Sequence, residues 1–173
     1  MDADELRALQ SPLKARYREQ PGAGLITLRA IGSLGAEAVA CKVETGRALV
    51  TAGLHPATGG DGSLACSGDM LLEALVACAG VTLRAVATSL SIPIHGGTVT
   101  AEGDLDFRGT LGVSKEAPVG FREIRLGFEL DTAATPEQVA KLLELTERYC
   151  VVYQTLRSSP ALRTHRLVSN PGL

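Results

Sequence analysis

The longest apolar pattern in the chain, residues 70–90, carries its charges on a single helical face. Glu73 and Arg84 are the only charged residues there, and at about 100° per residue their spacing places both side chains on the same side of a helix. Most of the remaining circumference is apolar or small. This pattern predicts a helix that is buried on nearly all sides, with Asp69 in the first turn, where an acidic side chain favours the positive helix end.

Two later segments, residues 98–107 and 121–130, alternate between apolar and polar side chains. The first places Val99, Ala101, Leu105 and Phe107 on one side. Alternation of this kind predicts strands with one dry and one wet face, as in an antiparallel sheet. Shorter strand-like segments, bounded by glycine-containing turns, are predicted at residues 25–30, 37–43, 48–51 and 162–169.

Two further helices are predicted near the ends of the chain. Residues 3–20 form a helical pattern that is kinked near Pro12. Thr135 begins the other helix, because it precedes a proline and stands three residues before Gln138, as in a capping box. The order of elements predicts an α+β domain in which sheets cover a central hydrophobic helix.

Composition narrows the classes of function. The 173 residues carry a net charge of −2, which gives no general attraction to nucleic acid or to an anionic membrane. Aromatic residues make up 3% of the chain and tryptophan is absent, which argues against a base-stacking surface. Because the N-terminus lacks an apolar signal segment, we expect a cytoplasmic protein.

The four cysteines, Cys41, Cys66, Cys78 and Cys150, lie far apart and form no CxxC pair. Cys41 is interpreted as strand filling. Cys78 has only apolar or small neighbours on its helical face, a setting typical of an unreactive buried thiol. Cys150 ends the last predicted helix and precedes an arginine-rich segment, which either lowers nearby thiol pKa values or is simply a solvated tail. Both face inward, so they could meet; the sequence leaves this open.

Two motifs resemble those of one known family. The stretch Ser67-Gly-Asp-Met-Leu-Leu-Glu-Ala-Leu-Val-Ala-Cys78 is similar to the first signature of the OsmC/Ohr family, with an acidic residue nine positions before a cysteine. The stretch Glu147-Arg-Tyr-Cys150-Val-Val-Tyr-Gln-Thr-Leu156 resembles the second, of the form KYCxVxxxL. The resemblance predicts an OsmC-like domain over residues 24–173, preceded by an N-terminal helical extension, residues 1–23.

The resemblance implies an intertwined homodimer in which long buried central helices are wrapped by antiparallel sheets. It also implies a thiol-dependent peroxidase without a cofactor. Cys78 would attack an organic hydroperoxide and become a sulfenic acid, which Cys150 would convert into an internal disulfide. A thiol reductant, such as a lipoylated protein or thioredoxin, would restore both thiols. Neither nucleic acid nor a membrane is expected as a partner.

The loop before the first motif differs from that of the family's peroxidases, which keep an arginine there. Residues 54–68 contain neither arginine nor lysine. His55 is the candidate cation, Asp69 replaces the usual glutamate, and Cys66 is a possible extra thiol. The alternative function is a non-catalytic binding module for an apolar or thiol-reactive ligand. A metal site of His55, Cys66 and Cys78 is disfavoured, because that ligand set is incomplete.

Overall fold

The structure is a computed structural model that describes residues 2–5, 8, 11, 19, 31–34, 40–44, 49–112 and 114–165. Its regular elements, in chain order, are β1 (Ile31–Leu34), β2 (Ala40–Glu44), β3 (Leu49–Gly53), β4 (Ala65–Cys66), α1 (Ser67–Ser89), β5 (Gly96–Asp104), α2 (Phe107–Thr110), β6 (Glu123–Asp131), α3 (Pro136–Tyr149) and α4 (Val151–Arg157). A 3-10 turn, Pro56–Thr58, lies between β3 and β4.

Strands β5 and β6 form an antiparallel hairpin sheet whose register runs from Gly96 opposite Asp131 to Asp104 opposite Glu123. The predicted dry face is confirmed, because its apolar side chains pack on the central helix. These are Val99, Ala101, Ile124, Leu126 and Phe128.

The prediction that the first of these strands continues to Phe107 is wrong. The carboxylate of Asp106 accepts a hydrogen bond from the backbone N–H of Arg108 at 3.2 Å and caps α2. An aspartate side chain that hydrogen-bonds to nearby backbone competes with the pairing of a strand. The strand therefore ends at Asp104, although the alternating pattern continues to Phe107.

The other sheet has the order β1-β2-β3-β4. The strands predicted at residues 37–43 and 48–51 are confirmed over their described residues as β2 and β3, which pair in antiparallel fashion, while residues 37–39 and 48 lie outside the described range. The predicted antiparallel arrangement holds except at β4, which pairs in parallel with the end of β3. The strand predicted at residues 25–30 and the domain boundary after residue 23 lie outside the described residues.

Helix α1 packs along one stripe, and four side chains of that stripe are buried at intervals of one turn: Leu75, Ala79, Leu83 and Ala87. Leu83 and Ala87 contact Leu142 of α3, which is 0% exposed. The opposite face is open, and Val81 is 73% exposed. The prediction of burial on nearly all sides is therefore wrong for a single chain.

By length and composition alone, α1 could cross a membrane. Its contacts with α3, α4 and β5 make it the core helix of an α+β domain instead. The cytoplasmic location stays a prediction.

Helix α3 begins as predicted. The Thr135 hydroxyl accepts a hydrogen bond from the N–H of Gln138 at 3.3 Å, and the Gln138 side chain accepts one from the N–H of Thr135 at 2.9 Å. The strand predicted from residue 162 is wrong as far as His165, and residues 166–169 lie outside the described range. At the N-terminus, Ala3–Glu5, Ala8, Ser11 and Glu19 have helical backbone, and the rest of that predicted helix is outside the described residues.

Candidate active site

The junction between α3 and α4 is a single extended residue, Cys150, with φ −72° and ψ 110°. Its N–H makes the last bond of α3, to the carbonyl of Thr146 at 2.9 Å. Its sulfur then caps α4 by accepting a hydrogen bond from the N–H of Tyr153 at 3.5 Å, and its carbonyl accepts one from the N–H of Gln154 at 3.0 Å. Cys150 thus ends one helix and begins the next while 0% exposed.

The first two N–H groups of α4, those of Val151 and Val152, act on a different sulfur. Both interact with the thiol of Cys78, which lies half-buried on α1, and lower its pKa. The first four N–H groups of a helix have no partner within that helix. In α4 the N–H of Tyr153 donates to the sulfur of Cys150, and those of Val151 and Val152 interact with Cys78.

The Cys78 thiol has a lowered pKa. Burial raises this pKa, but four hydrogen-bond donors outweigh burial and bring it below the ordinary value of a thiol. All four donors are neutral groups. In decreasing order of effect they are the N–H of Val152, the thiol of Cys150, the N–H of Val151 and the hydroxyl of Thr82.

The Cys150 thiol is shifted in the other direction. Burial is the main cause and raises its pKa, and the hydrogen bond and charge of Cys78 raise it further, although the N–H of Tyr153 opposes them. Of the two thiols, Cys78 is therefore the one that ionises first as the pH rises, and Cys150 is the one that keeps its proton. Cys66, Cys78 and Cys150 are all free thiols.

A cavity of about 440 Å³ lies beside this pair. Leu75, Tyr153 and Leu156 line it and also belong to the apolar cluster around the two cysteines. Its wall is completed by the apolar residues Phe121, Ile124, Leu126 and Phe128 and by the charged residues Arg122, Glu123, Glu147 and Arg157. The cysteines themselves do not line it.

The other candidate residues gather elsewhere. His55, Cys66 and Asp69 line a second cavity of about 360 Å³, whereas Cys78 does not. The ring of His55 stacks on Phe107 with centroids 4.8 Å apart, and its Nδ1 accepts a hydrogen bond from the N–H of Ala57 at 3.0 Å. In one chain, neither His55 nor Asp69 is among the groups that lower the pKa of Cys78.

The alternative metal site finds no support. Among the described residues, no group of three or more histidine, cysteine and acidic side chains is placed to hold a metal ion. His55 and Cys66 share a cavity that Cys78 does not line.

Comparison with protein families decides the membership of this chain. A model described as OsmC-like protein matches residues 60–165, which is more than half of the chain and includes both cysteine motifs. The chain belongs to the OsmC-like protein family. A comparison with curated proteins finds no match.

Solved structures share the OsmC-like fold. An OsmC-like protein from Mycoplasma pneumoniae is 16% identical, with a TM-score of 0.65, over 78% of this chain and 89% of that chain. An organic hydroperoxide resistance protein from Elizabethkingia anophelis is 20% identical, with a TM-score of 0.62, over 78% and 91%. One from Legionella pneumophila is 18% identical, with a TM-score of 0.61, over 78% and 92%. The predicted α+β OsmC-like fold is confirmed.

Sequence reasoning missed the groups that set the thiol pKa values in this OsmC-like chain. Two of them are backbone N–H groups at Val151 and Val152, which have no sequence signature of their own. Helix α4 was not predicted, because cysteine is not a preferred N-cap residue and two β-branched valines follow it. Thr82 did have a signal, since it stands four residues after Cys78 on the same helical face.

Proposed function

We propose that the protein is a thiol peroxidase that reduces organic hydroperoxides with Cys78 and Cys150. The observation that carries this proposal is the shared hydrogen-bonded environment of the two thiols, in which the pKa of Cys78 is lowered and that of Cys150 is raised. A nucleophilic thiol must ionise, and a resolving thiol must wait beside it. Membership in a family that includes organic hydroperoxide resistance proteins supports the same function.

In the first step, the Cys78 thiolate attacks an oxygen of the O–O bond. An S–O bond forms, the O–O bond breaks, and the leaving alkoxide takes up a proton to become the alcohol. Cys78 is then a sulfenic acid, oxidised by two electrons. The neighbouring cavity of about 440 Å³, with its apolar wall, suits the organic part of such a peroxide.

In the second step, the sulfur of Cys150 attacks the sulfur of Cys78. An S–S bond forms, the S–O bond breaks, and the hydroxide leaves as water with the proton of the Cys150 thiol. An external dithiol then reduces the disulfide, becomes a disulfide itself and returns both thiols. No cofactor takes part in this cycle.

The working form proposed here is a homodimer. The open face of α1 carries the small and apolar side chains Ala74, Ala77 and Val81 beside the exposed Glu73 and Arg84. Exposed apolar stripes of this kind are found at protein interfaces, and a second copy of α1 offers the same surface to a two-fold contact.

The test measures thiols and peroxide together. The reduced protein is mixed with one equivalent of cumene hydroperoxide, and free thiols are counted by mass spectrometry. We expect loss of the Cys78 and Cys150 thiols and their recovery with dithiothreitol. Cys78→Ser should abolish peroxide consumption, Cys150→Ser should leave a sulfenic acid at Cys78 that dimedone traps, and Cys66→Ser should change neither. Peroxide consumption by Cys78→Ser at the wild-type rate would refute the proposal.

One observation favours the alternative of a non-catalytic binding module. The groups that lower the pKa of Cys78 are all neutral, and the loop over residues 54–68 holds no arginine or lysine to position a peroxide. Such a module would bind an apolar or thiol-reactive ligand in the same cavity without turnover. Native mass spectrometry of the freshly purified protein separates the two, because a co-purified ligand or adduct, together with stable thiols under peroxide, is expected only of the binding module.

A further inference from the structure

We propose that Glu147 is a positioning residue that holds the first turn of α4 against Cys78. Glu147 lies in the last turn of α3, three residues before Cys150. It receives hydrogen bonds from two consecutive residues of α4, Tyr153 and Gln154. Its significance for catalysis rests on the proposed function, but its effect on Cys78 is a property of the fold.

The first contact follows from the break at Cys150. Helix α3 ends there, so the carbonyl of Glu147 is one of the last carbonyls of a helix, which have no partner within it. In a continuous helix its partner would be the N–H of Val151, but in α4 that N–H interacts with Cys78 and lowers its pKa. The side-chain amide of Gln154 donates to the Glu147 carbonyl instead, at 2.8 Å.

The second contact involves the carboxylate. The hydroxyl of Tyr153 donates to Oε2 of Glu147 at 3.1 Å. Burial raises the pKa of Tyr153, and the hydrogen bond and charge of Glu147 raise it further, although the charge of Arg157 opposes this. The hydroxyl therefore stays protonated and donates across the physiological range.

These two bonds matter because α4 is short. Seven residues form too few internal hydrogen bonds to hold a helix in place without tertiary contacts. Only one extended residue, Cys150, connects α4 to α3. The bonds to Glu147 fix the angle between the two helices, and that angle sets where the N–H groups of Val151 and Val152 point. Loss of these bonds should misdirect both donors and weaken the Cys78 thiolate.

The titratable and charged side chains around Glu147 come from three elements. Tyr153 and Arg157 lie on α4, and Arg122 and Glu123, just before and at the start of β6, line the same cavity. Arg148 is the adjacent residue of α3. Cys150 is the titratable group in direct contact with Cys78.

The test reads the apparent pKa of Cys78 from the pH dependence of its alkylation by iodoacetamide in the full chain, resolved by peptide mass spectrometry. We expect Tyr153→Phe and Glu147→Ala each to raise that pKa by about half a unit, which lowers the thiolate fraction at pH 7 about threefold. Glu147→Gln should stay near the wild type, because the amide oxygen still accepts the tyrosine hydroxyl.

The chain offers two matched controls. Tyr149→Phe removes a hydroxyl from a tyrosine that is 58% exposed at the end of α3, and Glu144→Ala removes a carboxylate one turn before Glu147 that pairs with Lys141. Both should leave the Cys78 pKa unchanged. An unchanged Cys78 pKa in Tyr153→Phe, whose ring preserves the packing, would overturn the proposal even where Glu147→Ala fails to fold.

Alkylation requires no peroxide, so the two proposals fail separately. If the wild type consumes no peroxide but the Cys78 pKa rises in Tyr153→Phe, the positioning role of Glu147 stands and the peroxidase function is refuted. If the wild type consumes peroxide but the Cys78 pKa is unchanged in Tyr153→Phe and Glu147→Ala, only the positioning role is refuted.

Discussion

The thiols of Cys78 and Cys150 interact directly, yet their pKa values move in opposite directions. Burial disfavours the thiolate at both positions, and for Cys78 this cost is exceeded by donors from the first turn of α4 and from Cys150 itself. Among the described residues, the groups that favour the Cys78 thiolate are therefore neutral donors rather than cationic side chains. Preorganised N–H groups are strong partners for an anion because they pay no reorganisation when the charge appears.

The first prediction concerns the pH dependence of thiol reactivity. A lowered pKa means that the thiolate is already populated at a pH where an ordinary cysteine, with a pKa of about 8.5, is protonated. The pH at which the rate of Cys78 alkylation by iodoacetamide is half of its maximum should thus be lower in the folded protein than in the same protein unfolded in denaturant. Cys150, buried and with a raised pKa, should react more slowly at every pH below that point.

Substitution of Cys150 tests the hydrogen bond between the two thiols. Cys150→Ala removes a donor to Cys78 and should raise the Cys78 midpoint, whereas Cys150→Ser keeps a hydroxyl donor and should hold it near the wild-type value. Equal midpoints in the alanine and wild-type proteins would contradict the assignment of Cys150 as a donor.

The hydroxyl of Thr82 provides a smaller contribution to the same pKa. Thr82→Val keeps the side-chain shape and removes the donor, so the Cys78 midpoint should rise. A hydrogen bond of about 1 kcal/mol corresponds to about 0.7 pKa unit. Thr88→Val is the matched control on the same helix, because the Thr88 hydroxyl donates to the carbonyl of Arg84 and has no role at Cys78. Equal shifts in both variants would point to a general effect of the helix.

Local rules predicted much of the fold. The hairpin of β5 and β6 followed from alternation, and the start of α3 from a capping box that the structure contains in both of its hydrogen bonds. The predictions failed where one residue outweighs a pattern. Asp106 caps α2 and ends the strand pattern. Cys150 ends α3 and begins α4, a helix that the sequence pattern did not predict.

The site was predictable only in part, for a different reason. The motif resemblance singled out Cys78 and Cys150, and their inward faces allowed them to meet. Three of the four groups that lower the pKa of Cys78 belong to residues 150–152, about seventy residues further along the chain, and no local pattern encodes that contact. His55 was selected as the candidate cation of the loop and Asp69 from the motif resemblance, and both line another cavity of the same chain.

Leu142 tests where the core lies. It is 0% exposed and packs against Leu83 and Ala87 of α1. Leu142→Ala should lower the free energy of unfolding by about 2–5 kcal/mol, because it removes buried methyl groups and leaves a cavity. Leu162→Ala is the matched control, since Leu162 is 90% exposed and its loss should cost less than about 0.5 kcal/mol. Denaturant unfolding measures both, and equal losses would contradict this assignment of the core.

The open face of α1 yields the last prediction. Val81 is 73% exposed on the open face of α1, and in the proposed homodimer a second copy covers it. Val81→Glu would bring a buried carboxylate from each copy into the same two-fold contact, so the dimer should dissociate. Sedimentation velocity should show the wild type at twice the chain mass and the variant at the chain mass. Val119→Glu, at a loop valine that is 64% exposed, should remain a dimer. A Val81→Glu protein that sediments with the wild type would place the interface elsewhere, because two carboxylates brought into a buried two-fold contact are too costly to leave the association unchanged.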